Sequence, residues 1–191
     1  MYRPSTVYHV YNQSNNREVV YKQHADYVDF EHRIRKHLLP FAHILCYCLM
    51  PTHFHLMLMP KAISCQPLSE KRPSQQVLHG AFRTLLSGYT QRTNRVYERR
   101  GSLFRAKTKY KLAYEGFIPP EIPLPEENPF NTIIPYLRIC FRYIHRNPEV
   151  AGLVDHPTEW AYGSCPDYAS MRENGICDYG LTERLLGIRR M

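Results

Sequence analysis

Two apolar runs, Phe41 to Met50 and His53 to Met59, stand back to back with only Pro51-Thr52 between them. Two strand-length runs joined by so short a connection read as a β-hairpin. The second run opens with His53-Phe54-His55. In an extended strand residues i and i+2 project to the same face. His53 and His55 therefore sit side by side while Phe54 points away into packing. Two imidazoles held close on a rigid strand are a half-site for a divalent metal; two packing histidines are the other reading of the same pattern.

The flanking sequence sets the rest of the fold. Thr6 to Asn12 is rich in β-branched and aromatic residues and reads as a strand, followed by a polar turn at Gln13 to Arg17. Tyr27, Phe30, Ile34 and Leu38 recur at helical spacing and predict a helix from about His24 to Leu39, stopped by Pro40. After an irregular stretch, Lys61 to Pro73, Ser74 is placed to cap a helix running to about Tyr97, with Val77, Phe82, Leu85, Leu86 and Tyr89 on its apolar face. From Ser102 to Leu112 polarity alternates: Arg105, Lys107, Lys109 and Lys111 fall on one side, Phe104, Ala106, Thr108, Tyr110 and Leu112 on the other. That is the pattern of a strand with one basic face.

Five prolines and four glutamates lie within residues 115–129, a composition that excludes regular structure and reads as a surface insertion. A further helix is predicted from about Asn131 to Arg146, closed by Asn147-Pro148, with Pro135 in its first turn. The remainder holds an aromatic cluster (Trp160, Tyr162, Tyr168) and a short basic helix from Leu181 to Arg190. The expected organisation is one domain over 1–168 and a C-terminal tail over 169–191.

The chain of 191 residues carries 25 Lys and Arg against 17 Asp and Glu, a formal +8. Such an excess favours a polyanionic partner, nucleic acid first and acidic membrane surface second. Residues 71–111 hold eleven Lys and Arg and a single Glu. Arg83, Arg92, Arg95, Arg99, Arg100, Arg105, Lys107, Lys109 and Lys111 are accordingly expected to track phosphates, with Tyr97 and Tyr110 as stacking candidates and Phe104 as core. No apolar run approaches the roughly 20 residues that span a bilayer, and Met1 to Ser5 has no apolar leader segment. A cytoplasmic protein without a membrane partner is expected. The six cysteines form no C-x-x-C pair, and Cys46, Cys48 and Cys140 read as buried thiols.

On the helix ending near residue 146, Tyr136, Cys140, Tyr143 and Asn147 form one stripe; Leu137, Phe141 and Ile144 form a second, apolar one. Tyr143 and Asn147 are thus available as a hydroxyl nucleophile and a neutral oxygen ligand facing His53 and His55. In a chain with fifteen tyrosines, a Tyr on a semi-apolar helix face is usually core or edge packing, and that is the ordinary role for Tyr143. His9 and His145 read as structural histidines.

Four ordered blocks carry a resemblance. His53-Phe54-His55, within Leu49 to Leu56, resembles the histidine–hydrophobe–histidine metal strand of HUH single-strand DNA nucleases, and in particular of the REP-associated tyrosine transposases. Tyr8 to Arg17 resembles their opening strand and turn, Tyr143 to Pro148 with Ala151 to Val154 their tyrosine helix and its exit, and Pro157 to Ser164 the segment that follows. The chain departs from the pattern at Gln13-Ser14, where Arg-Gly is frequent, at Ser164-Cys165, where Ser-Ser is more common, and in the length of the insertion at 115–129.

The resemblance implies an α+β, ferredoxin-like fold: an antiparallel sheet with helices packed on one face and the metal strand central. It implies Tyr143 as the catalytic tyrosine and His53, His55 and Asn147 as ligands of Mg²⁺ or Mn²⁺. The activity implied is that of a single-stranded DNA endonuclease and strand transferase, a transposase. It forms a covalent 5′-phosphotyrosine at hairpin or palindromic repeat DNA, as a monomer or a homodimer. A catalytically silent single-stranded or hairpin DNA-binding module is the alternative, and an unrelated metal phosphoesterase with water as nucleophile a third reading.

Overall fold

The computed structural model describes residues 1–115 and 130–191. The predicted hairpin forms the middle of the molecule. Its strands, β2 (Ala42–Met50) and β3 (His53–Pro60), pair antiparallel from Met50 opposite His53 to Ala42 opposite Pro60, with one irregularity between Ile44 and Cys46. β1 (Tyr8–Gln13) pairs antiparallel with the other side of β3. β4 (Lys109–Leu112) closes the far edge against β1. The order β2-β3-β1-β4 with helices α1 (His24–His37) and α2 (Val77–Val96) in the two crossovers is the ferredoxin-like βαββαβ arrangement.

The two faces of the sheet have different jobs because side chains alternate along β3. Phe54 and Leu56 point to the side covered by α1 and α2, where Phe54 meets Phe30 and Phe104, and Phe30 meets Tyr89. His53 and His55 point to the opposite side. There the long helix α3 (Phe130–Val150) lies across β2 and β3. Leu137, Cys140, Phe141 and Ile144 are buried along it, so its apolar stripe anchors it as the spacing predicts.

The exposed flank of β2 is capped rather than left as an open edge, which would invite pairing with other chains. Leu49 N–H donates to Tyr162 O at 2.8 Å, Ser164 N–H to Tyr47 O at 2.9 Å and Asp178 N–H to Ile44 O at 2.8 Å. Residues 169–191, expected as a tail, are therefore part of the same packed unit. Helices α4 (Cys165–Tyr168) and α5 (Tyr179–Leu186) bury Tyr168, Leu181 and Leu186 in the common core, and Ile176, between them, is buried with these. The terminal helix ends at Leu186, and Arg189 and Arg190 lie beyond it. All six cysteines are free, and Cys46, Cys48 and Cys140 are buried.

Other boundaries move for identifiable reasons. The basic strand is four residues, not eleven. The Asn12 amide takes over the pairing upstream, donating to Arg105 O and Thr108 Oγ1 at 3.1 Å, while Arg105 N–H reaches Gln13 O at 2.9 Å. Residues 105–108 thus loop out between the two anchor points. The N-cap of α2 is Gln76, not Ser74; its side chain also binds the Tyr2 backbone at both ends and the Cys65 carbonyl. Helix α3 continues through Pro148 to Val150 and is left at Gly152, whose φ of 67° suits a residue without Cβ. The insertion falls, from residue 116 onward, outside the described residues, as do the side chains of 130–132.

Helices α1 and α2 are locked together by a buried carboxylate. Asp26, with no exposed side-chain surface, accepts from the Lys22 and Gln23 backbone N–H groups at 2.9 and 3.1 Å, from Tyr97 Oη at 2.6 Å and from the Arg92 guanidinium. Those donors outweigh the burial penalty and hold its pKa below the ordinary carboxylate value. Removing one partner of such a pair leaves the other charge uncompensated, typically at a cost of about 3–5 kcal/mol. Asp26→Ala is expected to lower unfolding free energy by about that amount in urea titrations at pH 7. Because the folded pKa is depressed, the contribution is complete above the unfolded carboxylate value and is lost as pH falls through the folded one. The gap between parent and variant should therefore narrow in acid.

Candidate active site on the histidine face

His53 and His55 stand as the alternation requires, with ring centroids 5.0 Å apart and planes nearly perpendicular at 88°. Each uses Nδ1 for a bond within the chain: His53 Nδ1 lies 3.0 Å from Thr52 Oγ1, and His55 Nδ1 lies 2.8 Å from His9 Nε2. That leaves Nε2 on both rings as the nitrogen for an external ligand. Burial depresses the pKa of both; for His55, only 5% exposed, nearby His9, His53 and Lys111 add to the effect. Both shifts favour the neutral ring, the form in which imidazole binds metals.

Helix α3 brings Tyr143 to the same spot from a distant part of the sequence. The phenol ring packs edge-on against His55, centroids 5.7 Å apart, and against His9 at 5.9 Å. It is 44% exposed, unlike the buried residues that anchor its helix. Asn147 lies one turn further along, and its Nδ2 donates to the Tyr143 carbonyl at 2.7 Å, so Oδ1 is the amide atom left to accept or ligate. Among the described residues no group of three or more His, Cys, Asp or Glu side chains could hold a metal ion. A cation here would depend on the neutral amide of Asn147 as the third protein ligand, a donor set of two imidazoles and one carbonyl oxygen that fits Mn²⁺ or Mg²⁺.

His9 was not among the residues that spacing marks for the site, yet it is 3% exposed directly behind His55. Its position on β1 opposite Met57 gives it the same facing as His55, a relation that only the strand register reveals. Burial lowers its pKa to about 4, with Lys111 contributing. His145, by contrast, is structural as expected: its Nε2 meets Ser164 Oγ at 2.7 Å, and Ser164 Oγ accepts from Tyr47 N–H at 2.9 Å.

The basic residues separate into four groups. Lys109 and Lys111 lie opposite Tyr11 and His9 on β1, so they share the histidine face. Arg83, Arg105 and Lys107 belong to the other side of the edge strand, where they line a cleft of about 840 Å³ together with His79, Phe82 and Tyr110. Arg95 and Arg100 are exposed near the end of α2. Arg92 and Arg99 are turned inward: Arg92 pairs with Asp26, and Arg99 with Glu18 through two bonds of 2.9 and 2.8 Å. Tyr97 is held by Asp26 and covered by the Lys22 ammonium, 4.5 Å from its ring centre, and Tyr110 stacks on Tyr2 at 4.3 Å. Phe104 is core, as expected.

Neither a family model nor a curated protein sequence matches the chain. Among solved structures, a REP-associated tyrosine transposase bound to a REP hairpin superposes with a TM-score of 0.56 at 12% identity, over 89% of this chain and 82% of that one. The chain shares the fold of that REP-associated tyrosine transposase. At this identity the relationship is a distant structural one. Among the described residues no helix is long and apolar enough to cross a membrane.

Burial also lowers the His145 pKa to about 3. In the unfolded chain the ring takes a proton near pH 6.5. The folded state excludes that proton, so the contribution of His145 is complete above pH 6.5 and declines toward pH 3. A His145→Gln variant is expected to flatten the loss of stability between pH 7 and pH 5 by up to about 1.4 kcal/mol per pH unit, read from urea titrations at the two values.

Proposed function

We propose that the chain is a single-stranded DNA endonuclease and strand transferase of the tyrosine HUH type, acting on hairpin or repeat DNA. The observation that carries this reading is the convergence of Tyr143 on His55 from a distant helix, in a fold shared with a transposase solved on a DNA hairpin. The positive charge of the chain supports a DNA partner.

In this reading the Tyr143 phenolic oxygen attacks the scissile phosphorus and gives up its proton. The new P–O bond forms a 5′-phosphotyrosine while the P–O3′ bond breaks, its electron pair staying on the 3′ oxygen, which takes up a proton and leaves as a hydroxyl. Attack by a different 3′-hydroxyl reverses the step and joins new strands, conserving the number of phosphodiester-type bonds. His53, His55 and Asn147 would hold Mg²⁺ or Mn²⁺, which supplies charge neutralisation at the phosphate. Lys109 and Lys111, on the same face, would draw the strand across the sheet; Arg95, Arg100, Arg83, Arg105 and Lys107 would meet phosphates further out. Arg92 and Arg99 are omitted from that surface because their charges are matched within the chain.

The test is incubation with labelled single-stranded hairpins and Mn²⁺, followed by denaturing electrophoresis. A protein–DNA adduct is expected with the parent chain and absent with Tyr143→Phe; His53→Ala should reduce it at least about 100-fold, as loss of a metal-assisted step implies. An adduct that persists in Tyr143→Phe assigns the nucleophile elsewhere. Hairpin binding without any adduct would identify a binding module instead.

The charge assignment has its own readout. Lys109→Gln with Lys111→Gln should lower the slope of log K against log salt by about 0.7 for each single-strand phosphate that the lysines no longer neutralise. Arg99→Gln should leave that slope unchanged while lowering stability.

A further inference from the structure

We propose that His9 is a positioning residue for the cation site, accepting a hydrogen bond from His55 Nδ1–H and so holding His55 in the tautomer whose Nε2 lone pair faces outward. The inference rests on the reading of His53 and His55 as ligands and extends it to a residue that carries no ligand atom itself. Three observations support it. His9 Nε2 is 2.8 Å from His55 Nδ1, the two rings are tilted by only 29°, and His9 is almost wholly buried. Solvent therefore does not compete for the His55 Nδ1 proton. His9 also touches the Tyr143 ring edge-on, so the same side chain backs both the ligand and the phenol.

The proton inventory makes the assignment specific. A neutral imidazole has one N–H, and only one hydrogen can lie between the two rings. If His9 Nε2–H donates, His55 carries its own proton on Nε2 and cannot ligate through that atom. If His55 Nδ1–H donates, His55 Nε2 is free to ligate and His9 carries its proton on Nδ1. That nitrogen is buried and has no partner in the structure. It lacks a partner in either arrangement, so it does not choose between them, and burying it unpaired is a cost that the second arrangement must offset. Cation binding at His55 Nε2 selects the second arrangement, and His9 is the acceptor that makes it possible. Thr52 Oγ1 stands in the equivalent relation to His53 Nδ1 at 3.0 Å. Outer hydrogen-bond partners of this kind fix ring orientation and ligand basicity, and their loss typically costs about 10- to 100-fold in metal affinity.

The experiment measures Mn²⁺ binding by electron paramagnetic resonance in the parent, His9→Phe, His9→Gln and His53→Ala chains, with folding checked by circular dichroism. Phe keeps a ring but no acceptor; Gln keeps an acceptor oxygen but no ring. The expected result is Mn²⁺ binding weakened about 10- to 100-fold in His9→Phe, substantially restored in His9→Gln, and lost in His53→Ala. Binding by His9→Phe equal to the parent, or equal losses in the Phe and Gln variants, would overturn the positioning role while leaving the ligand pair intact. No Mn²⁺ binding by the parent chain would overturn the ligand pair and this inference together. Nitrogen-15 spectroscopy of the histidines in the Mg²⁺-loaded parent supplies a reading that needs no variant to fold. His9 protonated on Nδ1 supports the proposal, and His9 protonated on Nε2 ends it.

Discussion

Everything at the histidine face depends on the register of one strand. β3 is central, paired on both sides, and Phe54 is fully buried among Phe30 and Phe104. Because side-chain direction alternates with period two, burying Phe54 against α1 and α2 forces His53 and His55 to the other face. A slip of one residue would bury two imidazoles in an aromatic core and expose the phenylalanine, losing roughly 1.5–3 kcal/mol of apolar burial for that side chain alone. The packing of the α1–α2 side is thus what aims the two rings, and the turn at Pro51-Thr52 holds the register by pairing Met50 with His53.

The same alternation places the two imidazoles where their ring nitrogens find partners. An imidazole removed from water loses hydration and is stable only if its ring nitrogens find partners. Here Nδ1 of each ring is satisfied from behind, by Thr52 and by His9. Burial itself lowers the pKa of both rings and so favours their neutral form. Lys111, opposite His9 in the strand register, reinforces this by disfavouring further positive charge on His55. A cationic side chain beside neutral histidines also suits an approaching phosphate, whose charge it lowers in cost.

Most of the architecture was legible in the sequence because each strand and helix carried its own period. The hairpin, α1, α2 and the anchoring stripe of α3 were all set by local apolar spacing. What could not be read were relations between residues far apart in the chain. Arg92 and Arg99 look like members of a basic surface until Asp26 and Glu18, 66 and 81 residues away, are seen to claim them. The contact of His9 with His55 is visible only once β1 is placed beside β3. From Phe104 to Leu112 every second residue is Lys or Arg, yet the Asn12 side chain competes for the backbone and the strand is four residues long. The segment after residue 168 reads as a tail because its partner, the flank of β2, lies far upstream, Asp178 reaching back to Ile44. Of the candidate site, His53, His55 and the face of Tyr143 were legible by period; the contact between them required the fold.

Helix α3 is where these constraints meet. It is held on one side by Leu137, Phe141 and Ile144 and at its end by His145, whose ring is fixed to Ser164 and through it to the β2 backbone. Tyr143 and Asn147 sit on the neighbouring stripe, and the amide of one is tied to the carbonyl of the other. A shift of the helix along its axis therefore moves phenol and amide together relative to β3, while rotation is resisted by the buried stripe. Along the helix axis Tyr143 and Asn147 are four residues apart, a rise of about 6 Å, and that spacing is fixed by the helix. Any displacement of α3 as a rigid helix must accordingly carry the Tyr143 phenol and the Asn147 amide together relative to the histidine pair.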